Sequence, residues 1–133
     1  MRPPRPVLPV YVRFVCFQTI DRQRSRLGVF QAIDLARDSD QSDDWALAAI
    51  NDLRQWFNAN LTVPPALVKG RGDIRQLSWF KPEAVEHVRQ MYLLKSALEA
   101  CGVHVEVLTT KSPGKIAYED DHQITAIPYS RSF

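Results

Sequence analysis

Between residues 10 and 20 the chain reads VYVRFVCFQTI, and its apolar positions fall on both sides of an extended strand. Val10, Val12, Phe14 and Cys16 share one side, and Tyr11, Arg13, Val15 and Phe17 share the other. A strand that is apolar on both sides is covered on both, which predicts an inner strand. Arg13 breaks the pattern, because a charge in mid-strand requires a partner or a path to water.

The period then changes from two to about 3.6. In LGVFQAIDLAR (residues 27–37), Val29, Phe30, Ile33 and Ala36 recur at helical spacing. In WALAAINDLRQWFNANL (residues 45–61), Trp45, Ala49, Leu53, Trp56 and Phe57 form an apolar stripe, which reads as core. Ser42 is the expected N-cap, Asp43 and Asp44 suit the positive end of the helix, and Val63-Pro64-Pro65 stops it. A third helix starts at Pro82 and ends at Gly102, with Ala84, Val88, Met91, Leu94, Leu98 and Cys101 as its buried stripe. A short strand at residues 77–80 precedes it.

Alternation returns after Gly102. VHVEVLT places Val103, Val105 and Val107 on one side, SPGK makes a turn, and two further strands at residues 115–118 and 123–127 flank EDDH. The short loops predict that these last three strands form an antiparallel meander. The resulting expectation is an α+β fold. Its antiparallel sheet has about four strands, the N-terminal strand plus a C-terminal three-stranded meander, and three helices cover one face. Residues 1–9 hold four prolines and read as a flexible arm, leaving residues 10–133 as a single domain.

Composition narrows the class. A chain of 133 residues with 45% hydrophobic and 24% charged positions needs no disulfide or metal to fold. Cys16 and Cys101 read as buried thiols, and their spacing matches no metal motif. The net charge of +2 provides no field that would select nucleic acid or an anionic membrane. No apolar run approaches the roughly 18 residues that cross a bilayer. The N-terminal prolines do not suit a signal peptide, so the expected compartment is the cytoplasm. Charge is nevertheless uneven: Arg22, Arg24 and Arg26 form one basic cluster and Lys69, Arg71 and Arg75 another, and 12 of the 17 basic residues are arginine.

Chemistry could sit at three places. Glu119, Asp121 and His122 are residue types that ligate divalent ions, yet adjacent strand positions point to opposite faces, so the EDDH segment reads first as a hairpin tip. A turn centred on Asp120 and Asp121 would set Glu119 and His122 opposite each other. His87 lies at the edge of the third helix's apolar stripe, where it reads as a histidine bonded to a backbone carbonyl or to Glu83. As a general base it would need a cleft, with Glu119 and His122 as the other catalytic candidates. Trp79 and Lys81 precede the third helix, whose free N–H groups attract anions. With Tyr118 and Asp120 they are the candidate ligand-binding residues. No cofactor motif is present in the sequence.

From Arg26 onward the chain resembles a small bacterial family of hypothetical proteins. The resemblance rests on RLGVFQA, WFNANL followed by Pro64-Pro65, SWFKPEAVEH and PGKIAYEDDHQITAIP. It implies a bacterial origin and carries no activity.

Three readings follow. The first is a non-enzymatic binding or regulatory module that recognises a protein partner or a small anionic ligand. The second is a small acid–base or metal-assisted hydrolase-type enzyme using His87 or His122 with Glu119 or Asp121. The third is a nucleic-acid accessory protein using the two basic clusters. The missing catalytic signature favours the first, and the near-neutral charge weakens the third.

Overall fold

The β-branched and aromatic residues at the start of the chain and the helical stripes that follow build an alternating set of strands and helices. The computed structural model describes residues 10–20, 23–37, 43–64 and 76–129. Within them the elements run β1 (Tyr11–Ile20), β2 (Gln23–Gly28), α1 (Val29–Arg37), α2 (Asp44–Asn60), β3 (Leu77–Phe80), α3 (Val85–Ala100), β4 (Val105–Thr110), β5 (Lys115–Glu119) and β6 (Gln123–Ile127). The fold is α+β. Its open sheet has the order β2-β1-β3-β6-β5, and every pair along that path is antiparallel. The proline arm, Arg22, Ser42 and the Lys69/Arg71/Arg75 loop lie outside the described residues.

The chain divides into two compact units: Met1–Arg13 with Val63–Val85 and Thr109–Phe133, and Phe14–Thr62 with Glu86–Leu108. In the first, β6 lies between β3 and β5, and Val12 of β1 pairs with Phe80 of β3. Both faces of β6 are covered, with Ile124, Ala126, Gln123 and Thr125 all buried. The two buried polar side chains are satisfied: Thr125 Oγ1 donates to Gln76 Oε1 at 2.6 Å, and Gln123 Nε2 to Asp120 Oδ2 at 3.1 Å. Arg13 is held in mid-strand by its guanidinium donating to the Ser78 carbonyl at 3.1 Å.

The second unit holds the helices, apart from Val85. Its buried side chains include Val15, Ile33, Ile50, Leu94, Leu98 and Val105. Gly102, at φ 84°, closes α3 with paired bonds: Val103 N–H donates to the Leu98 carbonyl and Gly102 N–H to that of Glu99. This left-handed stop is the one its glycine predicts.

Several expectations are corrected. Among the described residues the sheet has six strands rather than about four. β2 forms from QRSRLG, a segment of poor strand propensity, because the β1 ladder supplies its partners from Val15↔Gly28 to Ile20↔Gln23. β4 pairs with β1 and not β5, so the meander reduces to the β5–β6 hairpin. Loop length alone cannot choose among buried partners. α3 starts at Val85, and Pro82 lies in the preceding turn, where Ala84 N–H bonds to the Lys81 carbonyl. On α2 the buried stripe is Ala46, Ile50, Leu53 and Phe57: Leu53 and Phe57 are as expected, but Ala46 and Ile50 replace Trp45 and Ala49, and Trp45 is 60% exposed. The small Ala46 carries the helical phase that the larger Trp45 obscures. The N-cap is Asp43, without a side-chain cap bond.

Candidate functional site

The four ligand-binding candidates, Trp79, Lys81, Tyr118 and Asp120, belong to the first unit, as do Glu119, Asp121 and His122, and Lys81, Tyr118 and Asp120 meet at the β5–β6 turn. A register shift between Ile116 and Tyr118 makes this possible. Lys115 and Ile116 pair with Ile127 and Ala126, whereas Tyr118 and Glu119 pair with Thr125 and Ile124. Ala117 is the extra residue, a β-bulge that shifts the pairing by one residue just before the turn. The turn is centred on Asp121 and His122, with Asp120 N–H donating to the Gln123 carbonyl at 2.9 Å. This corrects the expected centre at Asp120–Asp121, and Glu119 stands opposite Ile124 rather than His122.

Asp120 then occupies the first turn position, where an aspartate can bond its own main chain. Its Oδ1 accepts the N–H groups of His122 at 2.8 Å and Gln123 at 3.0 Å. Its Oδ2 accepts the Tyr118 hydroxyl at 2.8 Å and the Gln123 amide at 3.1 Å. Burial works against ionisation here, but these four donors outweigh it and hold the Asp120 carboxyl below the usual range. For Tyr118 the sign is reversed: its hydrogen bond to Asp120, then burial, then the carboxylate's charge push the phenol up.

Lys81, one residue beyond β3, clasps the same turn. Its Nζ lies 2.7 Å from Glu119 Oε2 and donates to the Asp120 carbonyl at 3.1 Å, while its main-chain N–H donates to the His122 carbonyl at 2.9 Å. The bond to Glu119 raises the ammonium's pKa against an opposing desolvation, with further help from the charges of Glu119, Glu83 and Asp121. Trp79 faces Ile124 across β3–β6, and its indole Nε1 is buried without a hydrogen-bond partner. Asp121 is exposed. Among the described residues, no group of three or more His, Cys, Asp or Glu side chains is placed to hold a metal ion.

His87 belongs to the second unit. It is 6% exposed, and its Nε2 stands 2.8 Å from the carbonyl of Asn60, the last residue of α2. The ring also stacks edge-on against Trp56 at 4.9 Å. Helix-end carbonyls lack intrahelical partners, so His87 serves as a cap supplied from another element. That is the backbone-carbonyl alternative expected for it. His104, which no motif singles out, lies 3.7 Å from Glu99 and 3.5 Å from Glu106 at the exposed α3–β4 junction. Gln123 joins the turn without being among the residues expected there. An Asp three residues before a polar side chain on a strand is the signal that could have shown it.

The fold and the site define an α+β protein with a β-hairpin whose turn is held by side-chain hydrogen bonds. Comparison with known protein families, curated proteins and solved structures finds no match. Among the described residues no helix is long and apolar enough to cross a membrane.

Proposed function

We propose that this chain is a small, non-enzymatic bacterial binding module of the cytoplasm, which recognises a protein partner through the β5–β6 hairpin. The observation that carries this reading is a hydrogen-bonded tip beside an exposed edge strand that carries Ile116. Lys81, Tyr118, Asp120 and Gln123 are engaged in holding the turn, whereas Ile116 on β5 remains 44% exposed and Tyr129, just beyond β6, 77% exposed. A surface already ordered before binding loses less entropy when a partner arrives.

The locked chemistry also favours a protein over a small anion. The Lys81 charge is matched by Glu119 at 2.7 Å, and the turn carries Asp120 and Asp121 besides. Such a surface repels anions and suits a partner with basic residues at its rim. The acid–base alternative is less supported, since the Glu119 carboxylate is paired with Lys81 at 2.7 Å and His87 caps a helix.

The test is capture of a partner from a lysate of the native cells on immobilised protein. We expect a partner retained by the wild type and by Lys111→Glu, but lost from Asp121→Lys and Ile116→Asp. Retention that ignores both hairpin substitutions would overturn the assignment of the hairpin as the recognition surface.

A further inference from the structure

We infer that β5 pairs with β5 of a second copy of this chain, giving a two-fold dimer; this rests on the reading of the hairpin as a recognition surface and names its partner. β5 is the end strand of the sheet order, and no strand among the described residues pairs with its outer side. In an antiparallel ladder the main-chain groups of successive residues point alternately toward and away from the neighbour. Asp120 N–H donates to the Gln123 carbonyl, so Asp120 and Gln123 are a hydrogen-bonded pair. The next pair, Glu119 and Ile124, is then non-bonded, and the Glu119 peptide groups turn outward. The same alternation turns Ile116, opposite Ala126, outward beyond the bulge.

The bulge therefore leaves two outward-facing residues three positions apart, where a regular strand presents them two apart. A regular strand cannot satisfy both. A second β5, related by a two-fold axis, carries the same three-residue spacing in the opposite direction. Ile116 of each copy then faces Glu119 of the other, giving four main-chain hydrogen bonds. Ile116 and Glu119 lie opposite Ala126 and Ile124, which share one face of β6, so the paired side chains also share a face. The same register sets Lys115 against Asp120 of the second copy, beside the exposed Asp121, an opposite-charge pairing repeated by the symmetry. The bulge that guards this edge against ordinary strands thus admits its own copy. Five residues per strand bury less than the roughly 1,200 Å² of a stable complex, so the dimer is weak and concentration-dependent.

Sedimentation velocity over a wide concentration range tests this. Wild type and Lys111→Glu are expected to shift from monomer toward dimer as concentration rises. Lys115→Glu is expected to stay monomeric at the same concentrations, with unchanged circular dichroism. Ile116→Pro removes the outward N–H, a change edge strands tolerate, and is expected to be monomeric too. A monomeric wild type throughout, or a dimer indifferent to Lys115→Glu, would overturn the inference. A monomeric wild type that still captures a host protein through the hairpin would overturn the dimer alone and leave the binding-module reading standing.

Discussion

At Asp120 a single carboxylate accepts four donors from three residues, Tyr118, His122 and Gln123. Hydrogen bonds to a charged acceptor exceed neutral ones, and removing the acceptor leaves its donors to find water. Asp120→Ala is expected to cost about 2 kcal/mol, a figure kept low because solvent reaches this half-buried turn. The pH dependence has a definite sign. The folded carboxyl titrates below its ordinary 3.8, so the stability it contributes is complete above that value and lost as pH falls through the folded pKa. Urea titrations at pH 7 and below pH 3 would measure this, with the Asp120→Ala penalty shrinking in acid. A penalty that stays constant across that range would contradict an ionised Asp120 as the source.

At the scale of elements, the close approach of β5's entry to the end of β6 decides the hairpin. Gly114 lies at φ +125°, and a Cβ there would overlap the Ile127 carbonyl oxygen and sit 2.9 Å from Pro128 Cα. Neither obstacle is a movable side chain. Gly114→Ala is therefore expected to cost about 3 kcal/mol, from strained backbone and overpacking together. Thermal unfolding of the variant checks this, and an unchanged melting temperature would contradict it. The same element shows why some features were legible in the sequence and others were not. Gly102 announces the end of α3 because glycine's left-handed freedom is a local property, and the stripe of Met91, Leu94 and Leu98 announces its buried face. Neither the bulge at Ala117 nor the position of the turn has a residue signature, so the expected centre lies one position early and Glu119 stands opposite Ile124 rather than His122. Strand partners are equally non-local: nothing in VEVLTT says that it pairs with β1 rather than β5. Trp45 misled for a different reason, since the 3.6-residue period admits two neighbouring phases and only packing chooses between them. The polar cluster was legible as a set of residues but not as a geometry. Lys81 and Asp120 stand 39 positions apart, and β3–β6 pairing brings them together.

Over the whole molecule, charge is nearly balanced at +2, so specificity falls to local surfaces rather than to a global field. The acidic turn and the exposed strand beside it form the proposed surface, which requires that Asp120 hold the turn in place. Amide hydrogen exchange of His122 and Gln123, followed by NMR in wild type and Asp120→Ala, tests this most directly. Both amides donate to the carboxylate, so the account predicts slow exchange in the wild type. In the variant both should exchange much faster, while the amides of α3 remain protected. Equal exchange rates at His122 and Gln123 in the two proteins would contradict it.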